Sequence, residues 1–185
     1  MFRGAKESFQ GDEPYRCRSC RNAGYGYERL FYIQNALEEI GTPARVLSGL
    51  NIPEVCEHYI YRRALRHLEK GRVVIFAAGT GNPYFTTDTG AALRASEMQC
   101  DVILKATQVD GVYDSDPKTN PRAKKFEAVS FDEVITRQLK VMDTAAVALA
   151  RENNIPIVVF SQHAPDSLAQ VVSGKGSFTI IKKEV

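Results

Sequence analysis

Apolar residues recur along the chain in two rhythms. Short runs rich in β-branched residues, Val73 to Ala78 (VVIFAA), Asp101 to Leu104 (DVIL) and Ile155 to Phe160 (IPIVVF), are bounded by turn formers and predict buried strands that are apolar on both faces. Ala44 to Ser48 and Phe178 to Ile181 predict two more. Around them, helical spacing runs over Glu54 to Lys70, Asp88 to Gln99, Phe131 to Leu139 and Asp143 to Asn154. Strands that alternate with helices in this way predict an α/β three-layer sandwich, a mostly parallel sheet between helix layers. Met142 and the Ala-rich run Thr144 to Ala150 predict a helix face packed on that sheet, and Asp143 a helix cap. The segment Glu7 to Glu28 lacks the same grammar and predicts loop. Asp114 to Lys125 (DSDPKTNPRAKK) is polar and punctuated by proline, which predicts a surface loop.

Composition narrows the class. A chain of 185 residues fits one domain, spanning 1–185. Apolar content of 44% with 25% charged residues excludes a disordered chain, a collagen-like fibre and a coiled coil. Net charge is 24 − 22 = +2, too small to predict a nucleic-acid or anionic-membrane partner. No apolar run approaches the ~18 residues of a membrane span, and MFRGAKESFQ lacks the apolar core of a signal peptide, so a cytoplasmic protein is expected. The 4 cysteines are too sparse for a disulfide framework and read as free thiols. Cys17 and Cys20 form a C-x-x-C, but no second pair follows and His58, His67 and His163 show no ligand spacing, so no metal site is assigned. The basic run containing Arg16, Arg18 and Arg21 reads as a solvated surface.

The most informative segment is Gly79 to Asp88, GTGNPYFTTD, which follows the VVIFAA strand and precedes a helical pattern. Strand, glycine-bearing loop and helix start, in that order, place backbone N–H groups at the carboxyl edge of a sheet, where they can hold an anion such as phosphate. Gly79 and Gly81 permit tight turns, Thr80, Asn82, Thr86 and Thr87 add short polar side chains, Pro83 stiffens the loop, and Tyr84 and Phe85 can wall a flat ring. Asp88 admits two readings, a helix N-cap or a carboxylate facing a phosphate-bound Mg²⁺ or its water shell. A second segment, Leu104 to Pro117 (LKATQVDGVYDSDP), leaves a strand and turns at Asp110 and Gly111. There Thr107 can cap or bind, Tyr113 can stack on a base and Asp116 can accept from a ribose or an amine; an ordinary strand exit is the alternative.

These two segments, with LKVMDTAAVALARENNIPIVVF from Leu139 to Phe160 and FRGA from Phe2 to Ala5, resemble the bacterial uridylate kinases, which convert UMP and ATP to UDP and ADP. The resemblance implies the amino-acid-kinase α/β sandwich, a homohexamer, and tuning by GTP as activator and UTP as inhibitor. It places UMP on Thr80, Gly81, Asn82, Pro83, Tyr84, Phe85, Thr86 and Thr87, with Asp88 as the carboxylate beside the reacting phosphates. Arg3 matches an arginine near the phosphates, and Thr107, Tyr113 and Asp116 match ATP-pocket positions, with Mg²⁺ accompanying ATP. A uridine-nucleotide-binding module without turnover, or a relative acting on a carboxylate, are the alternative readings.

The likeness also has gaps. The family's initial strand with its K-x-S-G-E loop, and the later G-G-G-N loop before FRGA, are absent, so an incomplete kinase domain without its first strands and phosphate lysine is expected. From Glu7 to Phe31 the resemblance lapses, the pattern that two compensating frame shifts or a mis-set start would produce, and the family's ribose-binding aspartate is not carried onto Asp12. Gln108 stands where a lysine is usual, and Ser161 to His163 replace an Asn-containing turn.

Overall fold

The computed structural model describes residues 18–117, 119–163 and 165–184, with side chains from Tyr27 onward. Helix α1 (Arg18–Glu39) leads into β1 (Ala44–Ser48), β2 (Glu57–His58), α2 (Tyr61–Glu69) and β3 (Val73–Ala77). Then follow α3 (Thr87–Glu97), β4 (Ile103–Thr107), β5 (Ala128–Ser130), α4 (Phe131–Thr136), α5 (Thr144–Glu152), β6 (Ile157–Ser161), α6 (Ser167–Val172) and β7 (Phe178–Lys182). The strands form two sheets, in the orders β2-β1-β3 and β4-β6-β7-β5. Among the described residues these strands pair in parallel except β6 with β7, and an isolated antiparallel bridge joins Tyr113 to Lys125.

Alternation along the strands explains the layers. In β1, Val46 packs with Tyr27 of α1 and Ala77, while its neighbour Leu47 points to the opposite face with Ala64 of α2 and Met98. In β6, Ile157 and Val159 join the largest core with Ala92 and Ala95 of α3 and Val147 of α5, whereas Val158 and Phe160 meet Val171 of α6. Each sheet therefore has helices on both faces, as the alternation of strand and helix predicts. α5 buries Ala146, Val147 and Ala150, with Met142 packed against the same cluster, as the Ala-rich pattern implies.

Three expectations change. Strands β3 and β4 are not sealed on both faces: among the described residues each is the edge of its sheet, with Val73 39% and Leu104 37% exposed. The helix read over Glu54 to Lys70 begins only at Tyr61, because Glu57 and His58 pair with Leu47 and Ser48 and turn the preceding segment into a short strand. The loop expected through Glu28 is helical from Arg18, and α1 is anchored by Tyr27, whose hydroxyl lies 2.6 Å from the fully buried Ser48 Oγ. That tertiary anchor outweighs weak apolar periodicity. The loop residues 114–117 and 119–125 lie towards the surface, pinned by Asp114, which accepts from Lys124 N at 2.9 Å. Cys56 and Cys100 are free thiols, each held above its ordinary pKa by burial. Among the described residues no helix is long and apolar enough to cross a membrane.

Phe131 is 2% exposed at the start of α4, in the main cluster between the second sheet and its helices. Phe131→Ala is expected to cost about 3–5 kcal/mol. A urea melt showing a loss below about 1 kcal/mol would place that ring outside the cooperative core.

Candidate active site

The site begins where β3 ends. Ala78, Gly79, Gly81 and Tyr84 all have positive φ, at 60°, 55°, 76° and 69°, so the chain leaves the strand through a left-handed turn. Non-glycine residues in that region are strained and concentrate at functional loops. Gly81 is required sterically as well: a Cβ there would stand 2.6 Å from the carbonyl oxygen of Gly49, in the loop after β1. Gly90 plays the same part from the helix, where a Cβ would lie 2.9 Å from Gly79 Cα. The loop is thus clamped between the β1 exit and α3.

Within it, Gly81 N donates to Ala78 O at 2.9 Å and Asn82 N to Thr80 Oγ1 at 3.1 Å, so these two amides close the loop on itself. Among the described residues the amides of Thr80, Tyr84, Phe85, Thr86, Thr87 and Asp88 have no acceptor, which leaves anion-binding potential along the loop and at the first turn of α3. Asn82, Pro83, Tyr84, Phe85, Thr86 and Thr87 are exposed. The N-cap of α3 is Thr86, whose Oγ1 accepts from Thr89 N at 3.2 Å. The capping reading of Asp88 is therefore corrected: Thr86 is the residue with extended backbone, and Asp88 sits in the first turn with its Oδ1 hydrogen-bonded by Lys105 Nζ.

Asp143 caps α5, accepting from Ala146 N at 2.9 Å, and takes the hydroxyls of Thr86 and, at 2.9 Å, Thr89. Burial pushes its carboxyl up, but the hydrogen bonds from Thr86, Ala146 N and Thr89 outweigh that and hold it below the ordinary carboxylate range. On the opposite side of the loop Arg94, 8% exposed, places its guanidinium 3.6 Å from the Tyr59 ring centroid, donates to Glu97 at 2.6 Å and reaches Gly79 O at 3.4 Å. Tyr59 donates to the same Glu97 carboxylate at 2.6 Å. Burial first, and that carboxylate second, push the Tyr59 hydroxyl up to about 12.

The second segment leaves β4. Thr107 closes its own turn, donating to Val109 O at 2.7 Å while accepting from Val109 N at 3.1 Å. It lines a cleft of about 380 Å³ with Lys105, Gln108, Lys140 and Gln162, floored by Val112, Val141 and Val159. Gln108, which lines it, meets His163 at 2.5 Å, and both are departures from the family pattern. Tyr113 and Asp116 lie outside this wall. Tyr113 donates to Asp110 at 2.6 Å, and Asp116 organises the surface loop through its carbonyl, which accepts from Asn120 N at 2.9 Å. Asp110 also accepts from Ser177 at 2.7 Å and Lys125 at 3.2 Å. The Tyr113 hydroxyl, aided by Ser177 and Lys125 against the penalty of burial, holds its carboxyl down at about 2.

The structure thus brings the glycine loop, Asp88 and Thr107 to the carboxyl ends of β3 and β4. Arg3 lies outside the described residues, as do Asp12 and Cys17. Reading the sequence missed Lys105, Asp143 as an anchor of α3, and Arg94. The signal for Lys105 was available: in Ile103-x-Lys105-x-Thr107 a lysine occupies the core-facing phase of a strand.

Parallel strands flanked by helices, with a glycine loop at a strand's carboxyl end, define a layered α/β protein, and the family model described as the amino acid kinase family matches residues 31–161. The chain belongs to that family. Within it, the relatives are uridylate kinases. That of Paramagnetospirillum magneticum is 62% identical over 152 residues, covering 82% of this chain and 63% of its own length. That of Hyphomonas neptunium is 59% identical over 184 residues, covering 100% of this chain and 73% of its own length. The crystal structure of UMP kinase from Ureaplasma parvum superposes with a TM-score of 0.85 at 38% identity, over 89% of this chain and 71% of that one. The chain thus spans 63% to 73% of the length of these two curated relatives.

Two outcomes follow from the carboxylates. Asp143→Ala is expected to lower stability by about 1–3 kcal/mol through the lost cap and the stranded threonine hydroxyls, and Asp143→Asn by less; a thermal melt unchanged in both would show that Asp143 does not anchor α3. For Asp110, the folded carboxyl at about 2 lies below the ordinary value of about 3.9. Its contribution is present above pH ~4 and disappears as pH falls towards ~2. Asp110→Asn should therefore be less stable at neutral pH and lose less on acidification across that window, measured as urea midpoints against pH.

Proposed function

We propose that the chain belongs to an enzyme that transfers the γ-phosphoryl group of ATP to UMP, giving UDP. The observation that carries this reading is the meeting of the glycine loop with a ligand-sized cleft. The loop Thr80 to Thr87, with open amides at the start of α3, touches through Asp88 and Lys105 the cleft that Thr107 lines. Phosphoryl transfer asks for little covalent chemistry from the protein; alignment of the two phosphates and neutralisation of the charge between them supply most of the acceleration. In this assignment the loop amides and threonine hydroxyls bind the UMP phosphate, and Tyr84 and Phe85 wall its uracil. Thr107, Tyr113 and Asp116 serve ATP, and Arg3 adds charge near the phosphates. The identity of 62% to a uridylate kinase supports the choice of UMP over other acceptors.

Mg²⁺ belongs to the same assignment. Asp88 offers it a carboxylate: Lys105 takes Oδ1, and among the described residues Oδ2 accepts from no other group. Those residues contain no group of three His, Cys, Asp or Glu side chains placed to cage a metal. The donor set fits an ion carried on ATP and met by one carboxylate through water, as Mg²⁺ commonly is. When bound, the ion neutralises charge on the phosphates. The homohexamer, activation by GTP, inhibition by UTP, a role in pyrimidine nucleotide synthesis and a cytoplasmic location are parts of the same proposal.

Calorimetric titration with UMP, CMP, aspartate and acetylglutamate, followed by assay for UDP with Mg-ATP, tests it. UMP binding in preference to the others, with UDP formed, is the expected result. Binding of UMP with no UDP identifies a nucleotide-binding module, and preference for an acid identifies a carboxylate kinase; either outcome rejects the proposal.

A further inference from the structure

Lys105 stands in an unusual place. On β4, Ile103 points into the main core, and the two-residue repeat puts Lys105 and Thr107 on that same face, whereas Leu104 and Ala106 lie on the exposed one. A lysine on the covered face of a strand pays a desolvation penalty unless a partner offsets it. Here the partner is Asp88 of α3; the side chains are 26% and 25% exposed, so neither is sealed from solvent or from a ligand. A strand lysine and a helix carboxylate thus meet across the crossover that links the two sheets. An ammonium has three donors, and Asp88 takes one, leaving the others for a further anion. The same side chain lines the 380 Å³ cleft next to Thr107 and Lys140, above a floor of valines. Lys105 is therefore shared by the cleft and the first turn of the helix that ends the glycine loop.

We propose that Lys105 binds the phosphates of the donor nucleotide at the boundary between the two sites, with Asp88 as the residue that positions it. The proposal rests on the reading of the cleft as the donor site. A cation so placed is attached to β4, the strand that also carries Thr107, and is oriented by α3, so it registers both ligands at once. Arrival of a phosphate requires no new burial of charge, because the ammonium is already held in place before the ligand comes.

The test compares ATP with adenosine, titrated calorimetrically into the wild type, Lys105→Met and Lys105→Arg, with thermal melts of each. A charge-assisted hydrogen bond of this kind is worth roughly 10- to 100-fold in affinity. Lys105→Met is expected to weaken ATP by about that factor and to leave adenosine unchanged, while Lys105→Arg recovers most of the ATP affinity. As a second measurement, the NMR signal of the ¹⁵N-labelled Lys105 ammonium in the unmodified chain, assigned with Lys105→Arg, should move on adding ATP and stay put with adenosine; this holds even where Lys105→Met fails to fold. Equal loss of ATP and adenosine in Lys105→Met, or a lysine signal indifferent to ATP, overturns the proposal and leaves a structural ion pair. A wild type that binds UMP but neither ATP nor adenosine instead overturns the reading of the cleft, and this proposal with it. ATP binding untouched by Lys105→Met overturns the role of Lys105 alone.

Discussion

Three donors converge on one carboxylate, and the shape of the site follows from it. Asp143 must accept from Ala146 N to start α5, and it also takes the hydroxyls of Thr86 and Thr89. Thr86 is itself the cap of α3. Two helix beginnings are thereby fixed to each other through a single side chain, and the loop that precedes one of them inherits that fixity. Residues 86–89 and 143–146 lie far apart in sequence, so the contact is a product of the fold and not of local propensity. Because α3 and α5 also bury Ala92, Ala95 and Val147 in one cluster, the polar anchor and the apolar core reinforce the same alignment.

The loop is held from every side by groups of different chemistry. Glycine at 81 and 90 allows backbone to approach backbone where any side chain would intrude. Arg94 steadies the Gly79 carbonyl while its charge is balanced by Glu97 and its flat face by Tyr59. Gly90, Arg94, Glu97 and Tyr59 need not touch a ligand. Their work is to keep a strained turn in one conformation, so that the open amides at its end present a fixed pattern and little ordering cost falls on binding.

Much of this was legible from the sequence, and the failures have definite causes. β1 runs from Ala44 to Ser48 as its apolar run predicts, and Asp143 caps α5. The glycine loop lies between β3 and α3 as strand and helix patterns imply. The strand β2 was missed because two residues, Glu57 and His58, carry no apolar signal and are strand only by pairing with β1. The six-residue α6 is too short for helical periodicity to register. For the site, the choice between Thr86 and Asp88 as cap could not be made from residue type, since both are good caps and backbone angles decide. The Asp88–Lys105 pair depends on how a crossover helix lies over the next strand, which spacing alone does not encode.

The separation of the strands into two sheets carries a mechanical meaning. Helix α3 leaves an edge strand of one sheet and delivers the chain to an edge strand of the other. Its first turn is bonded to that second strand through Lys105. The helix acts as a shared beam, and the gap between ammonium and carboxylate is a gauge of how the two halves are set against each other. A displacement of one half against the other would have to break or stretch that ion pair.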